Sequence, residues 1–251
     1  GRSFYAFEAD GGKMRWRLES AAMFKSSPCY YKGHIYVGSV DNLLRAIDAS
    51  TGDVKWAANM GADCDSSPCV VDGKLYICGE SGHARCLVPE TGEVLWETFL
   101  GGVGRGTKPG SNGLETSPAI SNGELFAASY DGKLFCLDVD TGKVKWTANT
   151  QDDTDASPLV TDEFVYAASE EKASHVYCFD RKNNGALVWR FDGNKYGYWS
   201  SPALSGNTLY IGGQDDYMYA LNARTGALKW SFKTKAAVWS SPAVVNDVVI
   251  F

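Results

Sequence analysis

The sequence has no run of Lys and Arg, no stretch of about 20 apolar residues and no sustained helical period. The missing basic run argues against a nucleic-acid partner, because phosphates demand clustered positive charge. The missing apolar run excludes a helical membrane span. The segment Gly1-Arg2-Ser3-Phe4 has neither the charged nor the apolar region of a signal peptide. A signal has room to have been removed, and without an initiator Met these residues need not be the whole gene product. Histidine is scarce: His34, His83 and His175 fall at unrelated places with no ligand spacing, which argues against zinc. None of the seven cysteines is adjacent to another.

What remains is an ordinary globular composition, 44% hydrophobic and 22% charged with a net charge of −6, able to bury a large core. Internal repetition dominates it. Six Ser/Thr/Ala-Ser-Pro triplets end at Pro28, Pro68, Pro118, Pro158, Pro202 and Pro242, separated by 40, 50, 40, 44 and 40 residues. Six Gly-x-x-x-Trp segments keep step with them: Gly12 to Trp16, Gly52 to Trp56, Gly92 to Trp96, Gly142 to Trp146, Gly185 to Trp189 and Gly226 to Trp230. Between Pro118 and Trp146 lie four short apolar runs parted by Asn-Gly, Asp-Gly and Thr-Gly, which are hairpin signals. Four antiparallel strands per repeat of about 40 residues define a propeller blade. The recurring Trp is expected on the fourth strand, as the flat piece that fills the gap between blades.

The expected architecture is therefore all-β: a six-bladed β-propeller of four-stranded antiparallel blades forming one domain over 1–251. The blades fall at approximately 26–61, 66–101, 116–150, 156–194, 200–235, and 240–251 together with 1–20. Gly1 to Trp16 aligns with the third and fourth strands of the other copies, and the residues after Pro242 supply only the first two. Pairing of the termini would complete the last blade and leave no open edge. It requires the two ends to lie within about 15 Å, at roughly 3.5 Å per extended residue. The rival is part of a propeller with more blades, and closure separates the two.

The pattern in Ala46-Ile-Asp48-Ala-Ser-Thr51-Gly52-Asp-Val-Lys-Trp56 resembles the repeat of the PQQ-like (quinoprotein alcohol dehydrogenase-like) propellers, over essentially the whole chain. That family also contains propellers without the quinone, including an outer-membrane assembly lipoprotein. The resemblance implies the fold more than the activity. Its dehydrogenases have eight blades, a longer chain, an adjacent Cys-Cys pair and an Asp base near calcium. This chain has no such pair and only six repeats, so no catalytic residue is carried over.

Six of the cysteines alternate with Ala or Gly in repeat-equivalent slots: Cys86, Cys136 and Cys178; Cys29 and Cys69; and Cys78. They read as small core residues with free thiols. Cys64, between Asp63 and Asp65, reads as loop-side, with carboxylates that raise its pKa. Free thiols point to a reducing, cytoplasmic compartment, whereas the resemblance implies a periplasmic or secreted one. The insertion Gly101 to Gly113 is glycine-rich but lacks Gly-Lys-Ser/Thr and leads into no helix.

Function is sought where the copies disagree. The residue three before each Pro is Lys25, Asp65, Glu115, Asp155, Trp199 and Trp239. If the Ser-Pro segment begins the innermost strand, these form a ring at one mouth of the channel, with Tyr196, Tyr198 and Arg105 approaching from adjoining loops. Carboxylates and indole faces both attract cations. The expected function is non-catalytic: a binding or scaffolding propeller holding a small molecule or a protein at this mouth, as a monomer. Calcium is the candidate metal, on Asp65, Glu115 and Asp155, and the quinone is not expected. The alternatives are a quinoprotein-like dehydrogenase with quinone and calcium, and an accessory or sensor domain of a larger protein.

Overall fold

The computed structural model describes residues 1–101, 113–170, 174–193 and 195–251, and every regular element in them is a β-strand. Two strands, β1 (Ser3–Phe7) and β2 (Met14–Glu19), form a half-blade. Five complete blades follow, each an antiparallel meander of four neighbouring strands. They are β3 (Cys29–Tyr31), β4 (His34–Gly38), β5 (Leu43–Asp48) and β6 (Val54–Asn59); then β7 (Cys69–Val71), β8 (Lys74–Ile77), β9 (His83–Leu87) and β10 (Val94–Phe99). The third blade comprises β11 (Ala119–Ser121), β12 (Glu124–Ser129), β13 (Lys133–Asp138) and β14 (Val144–Asn149), and the fourth β15 (Leu159–Val160), β16 (Phe164–Ala168), β17 (Val176–Asp180) and β18 (Ala186–Phe191). The fifth comprises β19 (Ala203–Ser205), β20 (Thr208–Gly212), β21 (Tyr217–Asn222) and β22 (Leu228–Lys233). A second half-blade, β23 (Ala243–Val245) and β24 (Val248–Ile250), ends the chain.

The first two residues of the Ser-Ser-Pro triplet have separate tasks. The first hydroxyl staples its own blade: Ser26 Oγ donates to the Gly38 carbonyl at 3.1 Å and accepts from the Gly38 N–H at 2.7 Å. Thr116 with Ala128 and Ser200 with Gly212 repeat the arrangement. The second serine links blades, because its hydroxyl accepts from the backbone N–H of the equivalent serine one blade earlier. The links run from Ser27 to Ser67 (2.9 Å), Ser67 to Ser117 (3.0 Å), Ser117 to Ser157 (2.9 Å), Ser157 to Ser201 (3.0 Å) and Ser201 to Ser241 (3.0 Å). This belt runs along the first strands of successive blades, placing the Ser-Pro segments innermost as expected.

The fourth-strand tryptophans pack each blade on the next. Trp16 covers Gly52, Trp56 covers Gly92, Trp96 covers Gly142, Trp146 covers Gly185 and Trp189 covers Gly226. All five glycines have φ between 67° and 81°, the left-handed region that a Thr-Gly or Asn-Gly turn requires. Absence of a side chain there also makes room for the indole. Four indole N–H groups donate across the same interface, to the carbonyls of Ala49, Pro89, Val139 and Ala223. Tyr36, Tyr76, Phe126 and Tyr166, on the second strands, are buried alongside, and the core thus consists of layers between blades.

The ring expected from six repeats is not closed by the chain's own ends. β1–β2 and β23–β24 are separate two-stranded sheets. Among the described residues, the serine belt ends at Ser241 with no return link to Ser27, and nothing lies within 4 Å of a Cβ built on Gly12, the site that Trp230 would cover. Trp230 is 42% exposed, against 8% for Trp146 and Trp189.

Candidate binding site at the channel mouth

The loops that lead into each first strand alternate their side chains. The residue four before each Pro turns into the layer between blades, as with Cys64, Leu114, Thr154 and Tyr198, all fully buried. The following residue, Asp65, Glu115, Asp155 or Trp199, is less buried than the one before it. Small residues at the end of the second strand make room for the inward plug: a Cβ on Gly38 would lie 2.6 Å from Cys64 Sγ, and one on Gly212 2.4 Å from Val238. Cys64 is therefore a core residue rather than a loop-side one, and burial, ahead of the Asp65 charge, pushes its thiol up to about 12. Cys78, Cys86, Cys136 and Cys178 are buried free thiols, while Cys29 and Cys69 are half-buried.

Tyr198 occupies the same plug position. It packs against Tyr219 between the fourth and fifth blades, with ring centroids 6.2 Å apart, and burial raises its hydroxyl well above the usual range. It belongs to the interblade core, away from the mouth surface where the sequence pattern set it. Tyr196 is exposed. Arg105 and the rest of the segment 102–112 lie outside the described residues.

Neighbouring ring residues interact in sequence around the mouth. Lys25 Nζ lies 2.5 Å from Asp65 Oδ2. This ion pair raises the lysine pKa, whereas burial pushes the Asp65 carboxyl up in spite of it. Carboxylate oxygens of Asp65, Glu80 and Glu115 lie within 4.8 Å of one another. Three such oxygens are half of what calcium needs at least, and the Lys25 ammonium already neutralises one of them. Asp155, expected as the third metal carboxylate, instead joins Asp153 and Glu170. Burial pushes Asp153 up to about 8, aided by the Asp155 charge, and burial likewise raises Asp155 and Glu170, which hydrogen-bond to each other. One oxygen of each of these three carboxyls is buried without a hydrogen-bond partner. Beside them Trp199 and Trp239 are exposed, at 41% and 62%, with ring centroids 5.0 Å apart and tilted by 50°.

Glu80 and Glu170 were not in the ring read from the sequence. They occupy a second variable position, just past the second strand: Val40, Glu80, Tyr130, Glu170 and Gln214. In every blade the N–H of this residue donates to the carbonyl two residues before the ring residue: Val40 to Met23, Glu80 to Asp63, Tyr130 to Gly113, Glu170 to Asp153 and Gln214 to Gly197, at 2.8 to 3.2 Å. That bond sets the two variable positions side by side. Comparing the copies at this position as well would have found both glutamates.

Fold and repeat chemistry define the class, a β-propeller of PQQ-like repeats. The family model for the outer membrane protein assembly factor BamB matches residues 1–184 and 182–251, and the chain belongs to that family. The crystal structure of BamB from Moraxella catarrhalis is similar over 97% of this chain and 91% of that one, with a TM-score of 0.62 and 19% identity. A computationally designed protein, Ika8, is similar over 95% of this chain and 70% of its own, with a TM-score of 0.76 and 16% identity. No curated protein matches.

Proposed function

We propose that this protein is a non-catalytic scaffold that holds a protein partner at the channel mouth by a cationic side chain of that partner. The observation that carries this reading is the group Asp153, Asp155 and Glu170, one buried oxygen of each of which lacks a hydrogen-bond partner, set next to the exposed indoles of Trp199 and Trp239. An entering Arg or Lys supplies the missing charge and hydrogen-bond donors, and its arrival ionises carboxyls that burial otherwise keeps protonated. A guanidinium also stacks on an indole face. Membership in a family described by an assembly factor supports a protein, rather than a metabolite, as the source of that cation. A guanidinium in this sector adds to what Lys25 already does for Asp65 on the other side of the mouth.

The test is titration with an arginine hexapeptide, read by tryptophan fluorescence, with a glutamate hexapeptide as the charge control. Saturable quenching that is weakened at least tenfold in Asp155→Asn/Glu170→Gln supports the site. The net charge of −6 attracts cations everywhere, so Asp162→Asn/Glu163→Gln, at the opposite ends of the strands, should bind as the parent does. Equal affinity in both double variants overturns the proposal.

A further inference from the structure

The two sides of the channel mouth offset their acids differently. On one side the Lys25 ammonium, 2.5 Å from Asp65 Oδ2, is a counter-ion fixed to the chain. On the other side the place of a counter-ion is taken by hydrogen. Asp155 and Glu170 hydrogen-bond to each other. Two carboxyl groups can do so only if one of them carries a proton, since an ionised carboxylate has no donor. Glu170 is only 7% exposed, and one oxygen of Glu170, of Asp155 and of Asp153 is buried without a hydrogen-bond partner. Full negative charge on these groups would be neither solvated nor paired.

The neighbours of the three acids mostly favour the proton. Glu170, just past β16, is acted on by Asp155 and Asp153 from the loop before β15, while the Trp199 side chain, from the loop before β19, favours its anion through a hydrogen bond. Asp155 is acted on by Glu115 from the loop before β11, by Glu170, by Asp65 from the loop before β7, and by one cation, Lys25. Asp153 is acted on by Asp155, Glu115 and Asp152, and only the Thr154 backbone N–H favours its anion. Burial is the largest influence on all three, and it pushes Asp153 up to about 8 and the other two upward as well. At neutral pH the empty site therefore holds protons where the opposite side holds an ammonium. Protons exchange with solvent; the Lys25 ammonium does not leave the chain.

We propose that capture of a cationic side chain here is coupled to proton release: the incoming charge replaces protons on Asp153 and on the Asp155–Glu170 pair, so that the complex forms as pH rises and comes apart as pH falls. Resting on the cation site proposed above, this coupling supplies its regulation. The exchange balances. A guanidinium brings one positive charge and N–H donors for the open oxygens, and a carboxyl proton passes to water or to a buffer base, which leaves the charge of the site unchanged. The bound cation favours the carboxylates and pulls their pKa values down. Between the bound and the free values the complex carries fewer protons than its separate parts, so affinity rises with pH, by about tenfold per pH unit for each proton released. The Lys25 side has no such response below its own raised pKa, because its counter-ion stays charged.

The probe is the arginine hexapeptide blocked at both ends, whose guanidinium groups stay charged at every pH used. Titration calorimetry at pH 7 in phosphate and in Tris, buffers of unlike ionisation enthalpy, measures the protons exchanged, and about one or more should be released per peptide bound. Affinity read by tryptophan fluorescence at constant ionic strength should rise about tenfold or more from pH 6 to pH 8. Asp155→Asn/Glu170→Gln puts neutral groups of the same shape in place of the pair that shares a proton, and its residual binding should release at most about half as many protons. Asp162→Asn/Glu163→Gln, between β15 and β16, should release them as the parent does. Saturable binding with equal heats in both buffers and equal affinity at pH 6 and pH 8 overturns the coupling and leaves the site standing. Absence of binding in either buffer overturns site and coupling together. An Asp155→Asn/Glu170→Gln protein that releases protons as the parent does assigns them elsewhere and overturns the coupling as well.

Discussion

A Cβ placed on Gly142 would lie 2.5 Å from Cε3 of Trp96 and 2.8 Å from the Thr98 hydroxyl. The glycine is thus required twice, by its φ of 67° and by the indole resting on it. Gly142→Ala should cost about 2 to 4 kcal/mol, from left-handed strain together with overpacking. Gly12→Ala, at the same repeat position with a φ of 64° but nothing above it, should cost only about 1 kcal/mol. Urea unfolding of the two variants measures the difference, and equal losses would mean that the indole contact contributes nothing.

The serine belt makes a parallel comparison. Ser157→Ala removes the acceptor of the Ser117 N–H, leaving a half-buried donor without a protein partner. The expected loss is about 1 to 2 kcal/mol. Ser27→Ala removes a hydroxyl that receives no belt link and should cost less than about 0.5 kcal/mol. Their midpoints in urea, with unchanged slopes, check this.

These comparisons show how the fold was legible in the sequence. Every interblade device, the Trp, the turn Gly and the second Ser, recurs as a visible repeat, because each must meet an identical partner one blade on. Closure was not legible. Trp230 and Trp146 occupy equivalent places in the repeat, yet one is 42% exposed and the other 8%. At the mouth, Lys25, Asp65, Glu115, Asp155, Trp199 and Trp239 could be read from one variable position. Glu80 and Glu170 could not, because they reach the mouth from a different strand end through the N–H bonds to Asp63 and Asp153. Tyr198 was misplaced because residues in the same loop alternate between mouth and core.

Stability should fall as pH rises from about 4 toward 8. Asp153 binds its proton in the folded protein up to about pH 8, because burial disfavours the anion and Asp155 repels it. In the unfolded chain the same carboxyl loses its proton near pH 4. Between these values the folded state carries the extra proton, so this contribution to stability is full below the unfolded pKa and lost as pH passes the folded one. Asp155, Glu115 and Asp152 are the charged neighbours, all acidic and all acting in the same direction. Asp153→Asn should raise the melting temperature at pH 8 and flatten its slope between pH 5 and pH 8. Scanning calorimetry at the two pH values decides, and a variant with the parent's slope would assign the titration elsewhere.

Lys25 should act as the built-in counter-ion of the opposite sector. Its ammonium sits 2.5 Å from Asp65 Oδ2, and Asp65 together with Glu80 and Glu115 forms the one group among the described residues with carboxylate oxygens close enough to share a cation. In Lys25→Ala the three acids lose the ammonium that offsets Asp65, and a divalent ion becomes the available replacement charge. Calcium affinity measured by isothermal titration should tighten at least tenfold relative to the parent, which is about 1.4 kcal/mol. Lys25→Ala/Glu80→Gln should return it to the parent's level, since two carboxylates hold calcium less well than three. If Lys25→Ala binds calcium no better than the parent, the three carboxylates do not act as a unit, and Lys25 serves only to anchor the Asp65 loop.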